Sequence, residues 1–308
     1  MNYDCIIIGG GPAGLTAGIY TSRARLKTFL IESFSVACQA VTTDHIENYP
    51  GFPDGVNGFE LIDRFKKQAQ KFGTGFIASE VKSIKEDNPG FQIETEDKLY
   101  TSSSIIIASG ASPKKLDIPG EHKFRGKGVS YCATCDAALF KNKEVVVVGG
   151  GDTALEEAIF LTKFAKKVSV IHRRNALRGT KILQERSFAN KKIEFIWDSV
   201  VIEIMGSNKV TGVKVKNGKT GDIVDLICDG VFIFAGYTPN TAFLKDLMPM
   251  DESGYIIADD NGLTSKPGIF AAGDCRKKLL RQVVTAAGDG AVAAFACQRY
   301  IENLQHHP

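Results

Sequence analysis

Two cysteines separated by Ala133 and Thr134, and followed at once by an acid, stand near the middle of the chain: Cys132, Cys135 and Asp136. A close Cys-x-x-Cys points to redox exchange or to metal binding. The other cysteines, Cys5, Cys38, Cys228, Cys275 and Cys297, are scattered, and the total of seven is odd, so no disulfide framework is expected. Of these, Cys5, Cys228, Cys275 and Cys297 read as small apolar fillers. A structural zinc site wants four ligands. His45, His122, His172, His306 and His307 offer no ligand spacing near the pair. The redox reading is therefore the stronger one. In disulfide exchange the thiolate is the nucleophile, and its pKa falls at a helix start or within a Cys-x-x-Cys. Asp136 can supply a proton as general acid where its surroundings raise its pKa. The simpler alternative for Asp136 is a helix-start charge.

The elements around the pair come in two copies. Residues Tyr3–Ile8 read as a strand, GGGPAG as a turn, Leu15–Arg23 as a helix, and Lys27–Ile31 as a second strand closed by Glu32. Gly9, Gly11 and Gly14 fit G-x-G-x-x-G. The first glycine makes the tight turn, the second lets backbone approach a pyrophosphate, and the third lets helix and strand pack closely. The helix start offers free N–H groups to the phosphate, and an acid at Glu32 can accept from ribose hydroxyls.

The second copy follows the cysteines. Glu144–Val148 is a β-branched strand, Gly149, Gly151 and Ala154 give G-x-G-x-x-A, DTALEEAIFLTKFA has helical spacing, and Lys167–Ile171 is the next strand. It ends in HRRNALR, not in an acid. Where a carboxylate would repel a 2′-phosphate, His172, Arg173, Arg174 and Arg178 can bind one. This second site reads as an NADPH site. Two dinucleotide sites with different ribose ends suit an oxidoreductase that hands a hydride from a nicotinamide to a flavin.

The bulk properties set limits. The chain has 308 residues, enough for two domains of about 150 each. It is 44% hydrophobic and 24% charged, with net charge +3. That balance and the lack of a dense basic block argue against a nucleic-acid partner. No apolar run approaches a membrane span, and no secretory leader is visible, so a cytoplasmic, thiol-reducing location is expected. A strand at Ser104–Ala108 ends the first unit. The alanine-rich stretch RQVVTAAGDGAVAAFACQRYI reads as a helix that returns to it. The fold class is α/β, with two Rossmann-like dinucleotide-binding domains, the second inserted into a discontinuous first. The boundaries are expected at 1–116 with 243–308, and 117–242. Trp197 and the phenylalanines read as core.

With these motifs in order, the chain resembles the low-molecular-weight thioredoxin reductases along essentially its whole length. The resemblance is carried by GGGPAG at 9–14, ENYPGFP at 47–53, ASGASP at 108–113, CATCD at 132–136, GGGDTALEEA at 149–158, HRRNALR at 172–178, GYTPNT at 236–241, GIFAAGD at 268–274 and RQVVTAAGDGAVAA at 281–294. It implies a homodimer with FAD in the discontinuous domain and NADPH in the inserted one, and thioredoxin as partner. Electrons would run from NADPH through FAD and the Cys132–Cys135 disulfide to thioredoxin. By the same resemblance Gly9, Gly11, Pro12, Ala13, Gly14 and Glu32 hold the adenosine half of FAD. Gln39 and Asn48 lie by the isoalloxazine, Gly110 and Gly273 belong to the same site, and Asp274, Arg281 and Gln282 meet the ribityl and ring. Gly149, Gly151, Asp152, Thr153, Ala154, His172, Arg173, Arg174 and Arg178 serve NADPH. Cys135 faces the flavin and Cys132 attacks thioredoxin. One rigid geometry cannot set both nicotinamide and disulfide against one flavin face, so a rotation of the inserted domain is expected.

The chain departs from the family at Ala37-Cys38-Gln39-Ala40, where Gly-Gly-Gln-Leu is usual. Gln39 is kept, and the lost glycines put the local flavin contacts in question. An alternative reading is a ferredoxin-dependent flavin thioredoxin reductase or a related dithiol/disulfide flavoenzyme. The intact GGGDTA and HRRNALR argue against it.

Overall fold

The computed structural model describes residues 2–33, 38–43, 45–245 and 247–306. The expectation at Ala37 lies outside the described residues. The chain divides into two compact units, 1–112 with 238–308, and 113–237. Both joints fall a few residues before the expected 116/117 and 242/243.

Along the first unit run β1 (Asn2–Ile8), α1 (Pro12–Arg23), β2 (Thr28–Glu32), α2 (Gly58–Lys71), β3 (Gly75–Ala78), β4 (Val81–Asp87), β5 (Gly90–Thr95) and β6 (Leu99–Ile107). Helix α1 starts three residues before the expected Leu15, because Pro12 takes the first helical position, where a missing N–H is no loss. Strand β6 starts earlier than Ser104, since Leu99, Tyr100, Thr101 and Ser102 pair antiparallel with β5, and Thr101 and Ser102 already pair with β1. The chain crosses through β7 (Ala111–Pro113) into the second unit. There follow β8 (Val129–Ser130), α3 (Ala133–Asp136), β9 (Glu144–Val148), α4 (Asp152–Leu161), β10 (Lys167–Ile171), α5 (Lys181–Ala189), β11 (Ile193–Ile196), β12 (Ser199–Gly206), β13 (Val210–Asn217), β14 (Ile223–Ile227) and β15 (Gly230–Ile233). It returns through β16 (Tyr237–Pro239) to β17 (Ile269–Ala271) and α6 (Val283–His306).

Among the described residues, the first unit carries a sheet in the order β3-β2-β1-β6-β5-β4, with β17 also on β6. The second carries β11-β10-β9-β15-β8, with β12-β13-β14 as a separate antiparallel sheet. The two dinucleotide units expected from the glycine motifs are present, each on parallel strands. A parallel strand is buried on both faces, and its alternating side chains feed two cores. Cys5 and Ile7 of β1 enter one cluster and Ile6 and Ile8 the other. In β9, Val145 and Val147 enter one cluster while Val146 and Val148 enter the next. Each such side chain contributes about 1.5–3 kcal/mol on burial.

Cys5, Cys228, Cys275 and Cys297 are buried, as expected of apolar fillers. The phenylalanines are not all core: Phe59, Phe188 and Phe295 are more than half exposed. Trp197 is half-buried, stacked 5.0 Å from Phe195 at the edge of the second sheet. Their helices and strand ends present more than one face, and a ring on the outer face stays wet. No helix among the described residues is long and apolar enough to cross a membrane.

Helix α6 packs on α1 in the first unit, through the small residues Ala13, Ala17, Ala293, Ala294 and Cys297. The approach is close enough that a Cβ at Gly290 would lie 2.1 Å from the Ala13 carbonyl oxygen. Gly290→Ala should lower the unfolding midpoint, an overpacked backbone contact costing about 1–3 kcal/mol. A Cβ at Gly288 on the same helix meets nothing within 4 Å. Gly288→Ala should lower the midpoint less, since within the chain it adds no overlap and removes a helix-interior glycine. Thermal unfolding of the two variants side by side reads the difference.

Candidate active site

Three sets of residues carry the expected chemistry. The first is the turn after β1. Gly9 has φ +117°, and a Cβ there would lie 2.2 Å from the Ala108 carbonyl oxygen. A Cβ at Gly14 would lie 1.9 Å from the Gly9 oxygen. These two glycines set the turn and the close start of α1. Gly11 is the helix N-cap in extended conformation, and its nearest neighbour would be the Cys38 sulfur at 3.6 Å. Space is therefore left at the residue that should approach a phosphate. Pro12 and Ala13, expected in the turn, open the helix. Glu32 ends β2, paired with Lys66 of α2.

Helix α6 and the turn after β17 bring distant residues to that place. Gly273 donates its N–H to Asp289 Oδ2 of α6 at 3.0 Å, and a Cβ at Gly273 would lie 2.8 Å from Ala13 Cβ. Asp289 Oδ2 also takes Lys278 Nζ at 2.7 Å. Asp274 Oδ1 is buried with no hydrogen-bond partner. Burial pushes its carboxyl above the usual range; Lys278 and Arg281 oppose this and Asp289 adds to it. A buried acceptor without a donor fits a bound hydroxyl group, which is what a ribityl chain carries. Arg281 lies with its guanidinium 4.1 Å from the Tyr255 ring centroid, and its buried Nε is likewise unpartnered. Asn48 Nδ2 donates to Gln282 Oε1 at 3.0 Å, so two expected flavin residues 234 apart in sequence meet directly. Gln39 Nε2 donates to the Ala111 carbonyl oxygen, and Gly110, at φ +67°, accepts from Asn240 N. Cys38 is partly buried, and burial pushes its thiol pKa up, with Asp274 adding to the rise. These residues fit FAD.

The second set starts α4. Gly149 has Ala154 Cβ and the Phe234 carbonyl against it, while Gly151, the N-cap, has open space. Asp152 Oδ1 accepts from Thr180 N at 2.6 Å, and Thr153 Oγ1 sits 3.3 Å from the Tyr237 hydroxyl. The loop after β10 folds back on this turn: Arg178 N and Gly179 N both donate to the Gly150 oxygen. Arg173, Arg174 and Arg178 are exposed. His172 is not with them. It is 4% exposed, packed against Gly150, with Nε2 3.1 Å from the Ala176 oxygen. Its place is under the loop, where it orders the arginines. An open helix start beside three exposed guanidinium groups fits a phosphate-bearing dinucleotide.

The third set is the disulfide. Cys132 and Cys135 are bonded across the start of α3, with Cα atoms 5.4 Å apart. Cys132 is the N-cap, and Cys135 N donates to its sulfur at 3.1 Å. Helix α3 is one turn long and continues as a 3-10 turn through Phe140. Cys132 is half-buried, Cys135 is exposed, and Asp136 follows half-buried. Glu157 Oε2 of α4 accepts from Ala133 N at 2.9 Å and Thr134 N at 3.2 Å. Ser130 Oγ accepts from Cys132 N at 3.1 Å. Glu121, 3% exposed, accepts from Leu116 N at 3.0 Å, Asp117 N at 2.6 Å and the Tyr131 hydroxyl at 2.5 Å. It ties the segment after the first crossing to the residue before Cys132. Sequence reasoning missed Glu121, Glu157 and Asp289. Asp289 alone carried a signal, an acid between glycines inside an alanine-rich helix.

The model of the pyridine nucleotide-disulphide oxidoreductase family matches residues 3–290. The chain is 47% identical over 304 residues to a thioredoxin reductase of Listeria monocytogenes, covering 98% of this chain and 95% of the relative. It is 45% identical over 308 residues to one of Peptoclostridium litorale, covering 98% of each. Among solved structures, Lactococcus lactis thioredoxin reductase matches with TM-score 0.95 at 45% identity, covering 98% of this chain and 99% of that one.

Burial, and then the charges of Arg178, Arg173 and Arg174, hold the His172 pKa below its usual 6.5. The unfolded state then binds the extra proton in the window just below 6.5, so stability rises with pH there and is lost as pH falls. His172→Asn should flatten that slope. Denaturant midpoints of the two proteins across the window check it.

Proposed function

The chain belongs to the pyridine nucleotide-disulphide oxidoreductase family, and on that premise we propose that it is an NADPH-dependent thioredoxin-disulfide reductase. The observation that carries the reading is the Cys132–Cys135 disulfide on a one-turn helix, packed beside the helix that opens at the second glycine turn. The thioredoxin reductases it resembles along nearly their whole length support it.

FAD, when bound, supplies a two-electron relay between nicotinamide and disulfide. Gly9, Gly11, Pro12, Ala13 and Gly14 present backbone to its pyrophosphate, Glu32 takes ribose hydroxyls, and Asp274 Oδ1 takes a buried hydroxyl. Gly110, Gly273, Gln39, Arg281 and the Asn48–Gln282 pair border its ring end. Gly149, Gly151, Asp152, Thr153 and Ala154 form the turn for NADPH, whose 2′-phosphate meets Arg173, Arg174 and Arg178. His172 holds that loop from beneath.

The reduced pair then acts on thioredoxin. The Cys132 thiolate attacks one sulfur of the thioredoxin disulfide, forming a mixed disulfide and releasing the other sulfur. The Cys135 thiolate attacks Cys132 Sγ, restoring the Cys132–Cys135 bond and releasing thioredoxin as a dithiol. Asp136 delivers a proton to a departing sulfur. In this reading the 113–237 unit rotates about its two crossings during the cycle, which a chain with only two short connections permits. A second copy covers the exposed apolar side chains Leu280, Val284, Val292 and Phe295, giving a homodimer. Five unpaired cysteines suit work in the thiol-reducing cytoplasm.

One assay tests the reading: anaerobic nucleotide oxidation by the purified flavoprotein with oxidised thioredoxin. Turnover should need thioredoxin, prefer NADPH over NADH, and fall at least about a hundredfold in Cys132→Ser, as expected when a nucleophile is removed. Protein crosslinked between its two units should lose turnover yet keep one half-reaction, and sedimentation of the same preparation should give a dimer. Thioredoxin-independent oxidation, or an active Cys132→Ser protein, would refute the reading. Full turnover after crosslinking would refute the rotation.

A further inference from the structure

The short helix α3 receives a charge that its geometry does not require. Its first amides, Ala133 N and Thr134 N, both donate to one oxygen of Glu157, 2.9 and 3.2 Å away. A neutral acceptor could also cap these amides, though less strongly. At the start of a redox helix they have a second role: free amides stabilise a thiolate on the residue they follow. Here that residue is Cys132, the N-cap, whose sulfur already accepts from Cys135 N. Glu157 therefore does two things to a thiolate at Cys132. It occupies two amides of the helix start, and it places a like charge on the amide of the residue next to Cys132. Asp136 adds a further acid on the same helix.

We infer that Glu157 is a positioning residue that keeps the Cys132–Cys135 pair strongly reducing, by opposing the charge of the reduced form. The inference rests on the thioredoxin-reductase reading and deepens it. Stabilising the reduced form of a dithiol makes its disulfide a better oxidant, and destabilising that form makes the dithiol a better reductant. A protein that must pass electrons on to another disulfide gains from the second arrangement. The carboxylate comes from α4, the helix that opens at the nucleotide turn, so its position is fixed by the same packing that fixes the NADPH site.

The test is a redox titration of the pair in the purified flavoprotein, at about pH 8 so that a thiolate can form. Dithiothreitol reduces Cys132–Cys135 to two thiols and becomes its own cyclic disulfide, so electrons and protons balance. Alkylation and peptide mass read the dithiol fraction. Glu157→Gln keeps an acceptor of the same shape and removes the charge. It should shift the equilibrium about tenfold toward the dithiol, which is about 30 mV for a two-electron couple. Glu157→Asp keeps the charge and should stay within about threefold of the wild-type constant.

A Glu157→Gln constant within about threefold of wild type, or shifted toward the disulfide, overturns the inference. So does an Asp shift as large as the Gln shift, or a Gln variant that no longer unfolds cooperatively, since either makes Glu157 a structural cap. Failure of the function reading looks different: the wild-type pair would take no electrons from NADPH, while the dithiothreitol comparison of the variants would still read the charge effect.

Discussion

A one-turn helix cannot hold itself together. Forming a first turn fixes several residues for one hydrogen bond, and the leading amides of so short a helix find no partner inside it. Helix α3, with the disulfide across its start, is such a helix. It stands because neighbours supply what it lacks: Glu157 for two amides, Ser130 for the Cys132 amide, and the apolar contacts of Ala133 and Ala137 with the second core. The partner that matters most is α4. Its start is set by the glycine turn after β9, and its middle carries Glu157. One helix thus starts at the glycine turn proposed for the nucleotide and carries the redox pair on its side. A cysteine pair directly before a nucleotide turn is the sequence trace of that arrangement.

The first unit solves a similar problem over a longer range. The turn after β1 leaves open space at Gly11, while the buried, unpartnered acceptor Asp274 Oδ1 comes from the far end of the chain. Small residues on α1 and α6 let the two helices approach almost to backbone contact, and this draws Gly273 and Asp274 onto the turn. Asp289 then fixes the Gly273 amide from within α6. The alanine-rich composition of the C-terminal helix is thus a site-building feature. Larger side chains there would hold the two halves of the site apart.

Much of this was legible in the sequence, for physical reasons. Strands β9 and β10 fall where their β-branched runs predict, since strands buried on both faces must be apolar throughout. The glycine turns were readable because only glycine tolerates φ +117° at Gly9 with a carbonyl 2.2 Å from its would-be Cβ. The arginines after β10 are exposed as their charge predicts. The rest was hidden for equally physical reasons. Glu157 looks like any acid on a helix surface until α3 is placed against it. Glu121 lies in a loop, and its partners are set by chain tracing that composition does not encode. His172 stands in a run of cations yet is buried beneath them, because Gly150 leaves room for its ring. Phe59, Phe188 and Phe295 show that a large apolar side chain need not be core within one chain.

The proposed function requires electrons to pass from the second dinucleotide site through a flavin into the Cys132–Cys135 disulfide. The most direct measurement is an anaerobic NADPH titration of the purified flavoprotein, with no thioredoxin present, followed by thiol counting and peptide mapping. NADPH should bleach the flavin and expose two new thiols per chain, at Cys132 and Cys135, about one disulfide's worth of electrons beyond the flavin. A flavin that bleaches while the pair stays oxidised, or new thiols elsewhere in the chain, would contradict it.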